Sequence, residues 1–595
     1  MNPWSGHLRA PRRRLPRAAV AAVAVMALLG TAACDTGAAD ESGPQRGGTL
    51  LVDVLALPNY LDPQLLQTAT EASISRLITR TLTGFRPEPG AAGSELVPDL
   101  ATDTGRPSQN NTVWDFTLRE GARWEDGEPV TCQDLKYGVE RRFSELADRQ
   151  TGAVYPLTYL RDNEPPPGEE PPAGRVYKGP WVENNNDGAG LESVECVDQR
   201  VIRFHLVQPR SDFNYTVSMA VFGPVRPGAD DDRDAYNLQP LATGPYRVAE
   251  HRAGETLVLE RNPHWDQGTD QIRRAYPDRM VFQKLEDAAV ATNDLVNDQG
   301  ADRSRIMLDM DLAPTFLQQV MTDPQLSARV AAGPRGAVRY LAVNTALIPQ
   351  ERCRQALSFA TNKRKIRSVF GGSLLGDLAT TMIPPNLLAH QAFDHYDTHG
   401  QPDGQPERAI ALMEESANAG EPCPTEITFA FPDIAEVRRM ANVLVESYQR
   451  IGVALRLEPI DQQAYFVQLL VERRGEFELS WIGWQPDWPN GSSVIPPLFD
   501  GRDLTYNVSQ LQDDRVNDMI DAAFAETDLD RQYLLWGELD SVIQQTAATI
   551  PLMYNYALRM HGSNVRGAFI HPMAGNPELS VIGLADPALS EEPVD

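Results

Sequence analysis

The sequence predicts an α/β fold with mixed sheets, on three observations. Segments with the period-two alternation of half-buried strands interleave with segments whose apolar residues recur at helical spacing, so helices must pack on sheets. At 595 residues, 42% hydrophobic and 23% charged, the chain has material for about three or four domains or large lobes. No repeat of solenoid spacing runs through it.

Taken in order, the chain begins with Arg9, Arg12, Arg13, Arg14 and Arg17 followed by the apolar run Ala18 to Gly30, with no acid before Asp35. The run is too short for a bilayer core, which needs about 20 residues, and it has the basic and apolar regions of an export signal. Thr31-Ala32-Ala33-Cys34 then places a lone cysteine after small residues. This resembles a bacterial lipoprotein signal, although Thr31 stands where such signals usually carry Leu. The resemblance implies that residues 1–33 are removed, that Cys34 is acylated, and that the lipid anchor alone holds the body at the outer face of the cell membrane. Residues 34–46, rich in Gly, Ala, Asp, Glu and Ser, read as a flexible tether.

Thr49 to Leu57 reads as a strand and Glu71 to Leu82 as a helix. Val113 to Arg119 alternates as a half-buried strand, and after the turn at Glu125-Asp126-Gly127-Glu128 a helix starts, with Thr131 as its cap and Asp134 answering three residues on. Asn163 to Gly190, with three consecutive prolines and an Asn-rich run, reads as a long surface excursion. Glu195 to Leu206 and Tyr246 to Glu260 return to strand patterning. Helices follow at Glu351 to Phe359, Glu407 to Asn418 and Ile434 to Arg450, the last with a capping-box pattern at Asp433 and Glu436 and a stop at Gly452. Two more, Asp514 to Ala525 and Arg531 to Thr546, precede a strand at Ile550 to Leu558.

With 82 acidic against 54 basic side chains and a net charge of −28, the chain is a poor candidate for binding nucleic acid. Cys132, Cys196, Cys353 and Cys423 form an even set in an exported chain, which permits two disulfides in three connectivities; pairing of sequence neighbours, Cys132 with Cys196 and Cys353 with Cys423, is the expectation. None has the spacing of a zinc site. His390, His395 and His399 with Asp394 and Asp397 form a local cluster that matches no metal motif, so neither metal nor cofactor is expected. There is no Gly-x-Ser-x-Gly elbow, His-Glu-x-x-His, phosphate loop or dinucleotide glycine pattern.

Several segments, in order, resemble the solute-binding proteins of ABC importers, in the large oligopeptide, dipeptide and nickel class (extracellular family 5). They are Gly47-Gly48-Thr49-Leu50, Leu61-Asp62-Pro63, Leu96-Val97-Pro98-Asp99-Leu100-Ala101, Trp114 to Arg119, Trp124-Glu125-Asp126-Gly127, Thr243-Gly244-Pro245-Tyr246, Glu260 to Trp265, and Tyr340 to Thr345 followed by Arg354 to Ala360. The resemblance implies a two-lobed periplasmic-binding-protein fold of class II with an extra domain in lobe one. Lobe one would be 47–81, 196–339 and 557–595, the extra domain 82–195, and lobe two 340–556. Crossings near Val338 to Ala342 and Tyr554 to Leu558 would form the hinge.

Gly483-Trp484-Gln485-Pro486-Asp487-Trp488-Pro489 is similar to the Trp-x-Ala-Asp-Tyr stretch of the peptide-binding members, where the acid takes the peptide's free α-amino group. The resemblance therefore assigns Asp487 to the amine and Trp484 and Trp488 to the pocket wall. A cation drawn from water into a closed cleft needs such a charge partner. Asn59, Tyr60 and Asn344 fall where the resemblance puts cleft-facing loops and a crossing segment, as candidates for backbone contacts to solute. The implied function is capture of peptides for a partner permease by a monomeric, lipid-anchored receptor; oligosaccharides, nickel chelates and other small solutes stay open, as does an extracellular hydrolase.

Overall fold

A computed structural model describes residues 43–144, 153–165, 174–182, 190–285, 287–462 and 464–590. Residues 1–33, Cys34 and the tether as far as Ser42 lie outside the described residues. Among the described residues no helix is long and apolar enough to cross a membrane.

Runs of β-branched and aromatic residues make three principal sheets. In the first lobe Thr49–Val54 runs parallel to Arg279–Lys284 on one side and Arg305–Met307 on the other, and the sheet continues through Thr256–Arg261 to Tyr246–Arg252. Its core of Leu50, Val52, Leu257, Phe282 and Ile306 also takes Val565, Leu579 and Leu584 from the C-terminal part of the chain. The inserted domain has a four-stranded sheet in the order Arg106–Ser108, Val113–Thr117, Val201–His205, Val194–Cys196. The second lobe is built on six strands in the order Gly376–Leu378, Thr549–Met560, Val330–Val343, Leu479–Trp484, Glu426–Pro432, Ala454–Ile460. Period-two alternation is plain along Val330–Val343: Tyr340 and Ala342 enter the core on one face of the sheet, Leu341 and Val343 the core on the other.

Val330–Val343 and Thr549–Met560 pair antiparallel along most of their length, from Val330 opposite Met560 to Ala342 opposite Thr549. These are the two crossings between the lobes. The ladder breaks between Pro334 and Val338, where proline offers no N–H and Gly336 takes a φ of +70°. Beside this break the Asp311 carboxylate accepts from Arg335 (2.5 Å), from Arg559 and from the Leu558 amide (3.0 Å).

Several sequence expectations change here for identifiable reasons. Glu195 to Leu206 is a hairpin, because the Asp198 carboxylate takes the amides of Arg200 and Val201 and turns the chain. Tyr246 to Glu260 likewise folds back on itself, with Gly254 at a φ of +74° in the turn. The domain boundary at 195/196 falls inside the strand Val194–Cys196, and Val201–His205 belongs to the inserted sheet, whose core includes Phe204, Phe213 and Phe222. The capping box holds at Thr131 and Asp134. At Ala435–Gln449 it does not form, because the cap position is Ile434 and Asp433 instead pairs with Arg438.

Cys132 is bonded to Cys196 and Cys353 to Cys423. The second bridge ties helix Glu351–Ala360 to the segment after helix Pro406–Asn418 across a separation of 70 residues. Constraining a loop of that length in the unfolded chain contributes about 2–4 kcal/mol, so the double substitution Cys353→Ala, Cys423→Ala should lower the urea-unfolding free energy of the second lobe by that amount. An unchanged midpoint and slope would contradict this.

Candidate functional site

Between the lobes lies a cavity of about 970 Å³, walled by the first lobe (Thr68, Ala72, Arg76), the inserted domain (Tyr155, Tyr159, Arg210) and the second lobe (Trp484, Asp487, Asp500, Tyr506, Phe524). Each element has a local reason to be there. Thr68 caps helix Ala69–Ile78, and Glu71 answers three residues on, so the helix enters the cavity wall at a fixed angle. Tyr155 and Tyr159 are four apart on the short helix Tyr155–Tyr159, opened by Pro156, which puts both rings on one face. Asp487 sits in the loop that leaves the strand Leu479–Trp484 at the edge of the cavity.

Asp487 is exposed to water in the cavity, with protein packed densely around the site. Burial pushes its carboxyl above the usual carboxylate range, and the hydrogen bond donated by the Tyr155 hydroxyl offsets only part of that rise. Tyr155 in turn is driven well above the ordinary phenol range, by burial first and then by the Asp487 charge. No cation pairs with Asp487 among the described residues.

Trp484 lines the cavity, donating from Nε1 to the Ser493 carbonyl (2.8 Å) with its ring 5.7 Å from that of Tyr506. Trp488 stands one layer behind. It is fully buried, its ring lies 4.9 Å from that of Tyr155 at 63°, and Nε1 donates to Asp212 (3.1 Å) and to the Ser492 hydroxyl (2.9 Å). It therefore buttresses the tyrosine that holds Asp487 rather than facing the cavity. The same Asp212 oxygen, from the inserted domain, accepts from Asn490 (2.9 Å) and from Ser492, so one carboxylate gathers three side-chain donors of the second lobe.

The remaining sequence candidates have other partners. The amides of Asn59 and Tyr60 donate to Glu71 Oε1 (3.1 Å each), and the Asn59 carbonyl accepts from Asn237 (3.0 Å), so these backbone groups are spent within the first lobe, off the cavity wall. Asn344 is buried, and its Nδ2 donates to the carbonyls of Gly475 (3.1 Å) and Phe477 (3.2 Å), tying the end of a crossing strand to its neighbour. His390 Nδ1 meets the Ile383 carbonyl and His395 Nε2 the Ser541 hydroxyl, so the two rings have separate partners.

The wall residues Tyr155, Tyr159, Arg210, Tyr506 and Phe524 were not legible as site residues; only the Tyr155/Tyr159 spacing carried a signal. Three lining arginines are neutralised: Arg76 by Glu578 (2.8 Å), Arg273 by Asp99 (2.9 Å) and Asp270 (3.1 Å), and Arg502 by Asp521 (2.7 Å) and Asp500 (2.8 Å).

Two lobes joined by paired crossing strands, with a charge-lined cavity between them, have the architecture of a solute receptor. Residues 95–505 match the model of the bacterial extracellular solute-binding proteins, family 5, middle region, and the chain belongs to that family. It is 21% identical over 540 residues to a probable D,D-dipeptide-binding periplasmic protein of Escherichia coli K12, covering 88% of this chain and 92% of that one. It is 22% identical over 517 residues to the periplasmic oligopeptide-binding protein of Salmonella typhimurium, covering 84% and 86%. Among solved structures, a clavulanic acid biosynthesis oligopeptide binding protein 2 superposes with a TM-score of 0.81 at 30% identity, over 91% of this chain and 97% of that one.

The cavity loop at Met573 and Ala574 hangs on a buried histidine. His571 Nδ1 accepts both their amides (3.2 and 3.3 Å) and Nε2 therefore donates to the Arg86 carbonyl (3.1 Å), an arrangement that requires the neutral ring. Burial brings its pKa down from 6.5 to about 4. The unfolded chain takes this proton first, so the contribution to stability is full above the unfolded value and is lost as pH falls toward the folded one. Between about pH 7 and about pH 4 the native protein should lose on the order of 3 kcal/mol through this residue, and His571→Gln should show a correspondingly shallower pH dependence in urea titrations. Parallel profiles for the two proteins would contradict this.

Proposed function

We propose that this chain captures peptides, with their free amino group on Asp487, and delivers them to the permease of an ABC importer. The observation that carries the reading is Asp487 itself: a carboxylate that faces the cavity and, among the described residues, is partnered only by a phenol. A bound ammonium group supplies the missing opposite charge and hydrogen-bond donors, so the solute completes what the protein leaves unfinished. Tyr155, Tyr159, Tyr506 and Trp484 offer flat surfaces to side chains of many shapes, which suits a receptor that reads a common terminus. The names of the relatives, dipeptide- and oligopeptide-binding proteins, support the same solute.

Truncating one partner of a buried charge pair costs about 2 kcal/mol or more, roughly thirtyfold in affinity. Asp487→Asn should therefore weaken binding of a free-amine peptide by that factor in calorimetry, and should bind the free-amine and N-acetylated forms equally. Because binding needs ionised Asp487 and its carboxyl titrates above the usual range, the native affinity should fall as pH drops through that raised value, and the variant should lack the fall. Equal binding of free-amine and N-acetylated peptides by the native protein would end the amine assignment. A response to sugars or metal chelates alone would keep the receptor and change its solute.

We further propose that Cys34, which lies outside the described residues, carries the lipid that keeps the body at the outer face of the membrane. A radiolabelled fatty acid should be incorporated into the native chain and not into Cys34→Ala, which should appear in the medium. Membrane retention of an unlabelled Cys34→Ala chain would contradict the anchor.

A further inference from the structure

We infer that the cavity holds a second charge-selective position, at Arg210, which takes a carboxylate of the bound solute. The preferred solute is then dipolar, with an amine on Asp487 and a carboxylate on Arg210. The amine half rests on the reading of Asp487 given above; the carboxylate half stands on Arg210 alone.

Arg210 lines the cavity, yet it is only 4% exposed. Its guanidinium is held between two rings, with Cζ 3.5 Å from the centroid of Phe524 and 4.3 Å from that of Tyr159. Both faces of the plane are thus covered, and the N–H groups lie along its edge. Nε and Nη1 are buried and have no hydrogen-bond partner, and no carboxylate pairs with the group among the described residues. The main chain at this point is pinned, the Arg210 amide donating to the Asn111 carbonyl (3.1 Å) and its own carbonyl accepting from Trp114 Nε1 (3.2 Å).

A guanidinium can be taken out of water at tolerable cost only if an acceptor meets it. At two other buried arginines that acceptor is supplied: Arg80 meets Asp99 at 2.7 Å, and Arg141 meets Asp62 at 2.6 Å and Asp230 at 2.7 Å. The other lining arginines are neutralised as described above, and around Arg502 the acids Asp500, Asp503 and Asp521 would repel an anion. A solute carboxylate therefore has one place to go. Phe524 belongs to the second lobe and Tyr159 to the inserted domain, so the sandwich that strips water from Arg210 exists only with the lobes together. The geometry also sets the reach. From Asp487 the wall runs through the Tyr155 ring, 5.5 Å from the Tyr159 ring, to Arg210, so the amine and the carboxylate stand two tyrosine rings apart.

The carboxylate could be the C-terminus of a short peptide or an acidic side chain, and matched ligands separate the two. The native protein would be titrated calorimetrically with trialanine against trialanine amide, and with tripeptide amides carrying glutamate against glutamine at the middle position. The expected result is a preference on the order of tenfold or more for the carboxylate member of at least one pair. In Arg210→Gln the two members of that pair should bind alike, and Arg210→Lys, which keeps the charge without the fork, should keep part of the preference. A preference that survives in Arg210→Gln overturns the proposal. So does a native protein that treats both members of both pairs alike, a result that needs no variant to fold. N-acetylated versions of the same ligands keep the two readings apart: indifference to acetylation with a preference abolished in Arg210→Gln removes the Asp487 assignment and leaves this one standing, and the converse removes this one alone.

Discussion

A charge taken out of water must meet its opposite, and the architecture of this protein follows from where that rule is satisfied and where it is left open. Arg80 and Arg273 close on Asp99 and Asp270, and Arg141 closes on Asp62 and Asp230, all of them buried. Asp62 comes from the loop after the first strand and Arg141 from a helix of the inserted domain, so these networks fasten that domain to its lobe at defined positions. Replacing any one member would strand the others in a low-dielectric interior. At the cavity Asp487 and Arg210 lie against aromatic rings and, among the described residues, meet no opposite charge.

The second requirement is that the cavity can open and shut. The lobes are joined by two long strands that pair with each other, and their ladder is interrupted twice, at Pro334 to Val338 and again between Arg339 and Tyr340, the first break lying beside the cluster in which Asp311 holds Arg335 and Arg559. Across the cavity, Asp212 gathers Trp488, Asn490 and Ser492. Those bonds join the two sides without any solute, and a solute touching both sides would add its own contacts to them.

Much of this was legible in the sequence, and the failures have physical causes. Helices with local caps read true, as at Thr131 and Asp134, because the signal and the structure involve the same few residues. Asp433 and Glu436 carried the same pattern but lay one position out of phase with the helix start, and Arg438 offered Asp433 a stronger partner. The turns inside Glu195 to Leu206 and Tyr246 to Glu260 were not marked by periodicity, because a turn of three or four residues leaves alternation nearly intact. Asp487 was visible because the contiguous stretch Gly483 to Pro489 resembles the Trp-x-Ala-Asp-Tyr stretch of the peptide-binding members. Arg210, Tyr159 and Phe524 were not, since they come from three distant segments that meet only in the fold, and no spacing records that meeting. Asn59, Tyr60 and Asn344 fell near the right loops, but their polar groups serve Glu71, Asn237 and two neighbouring carbonyls.

The most direct test of the account is a crystal structure of residues 35–595 with a free-amine peptide bound. It should place the amino nitrogen about 2.7–3.2 Å from an Asp487 carboxylate oxygen, inside the interlobe cavity and beside the Tyr155 hydroxyl. A peptide bound with its amino group elsewhere, leaving Asp487 joined only to Tyr155, would contradict the central claim.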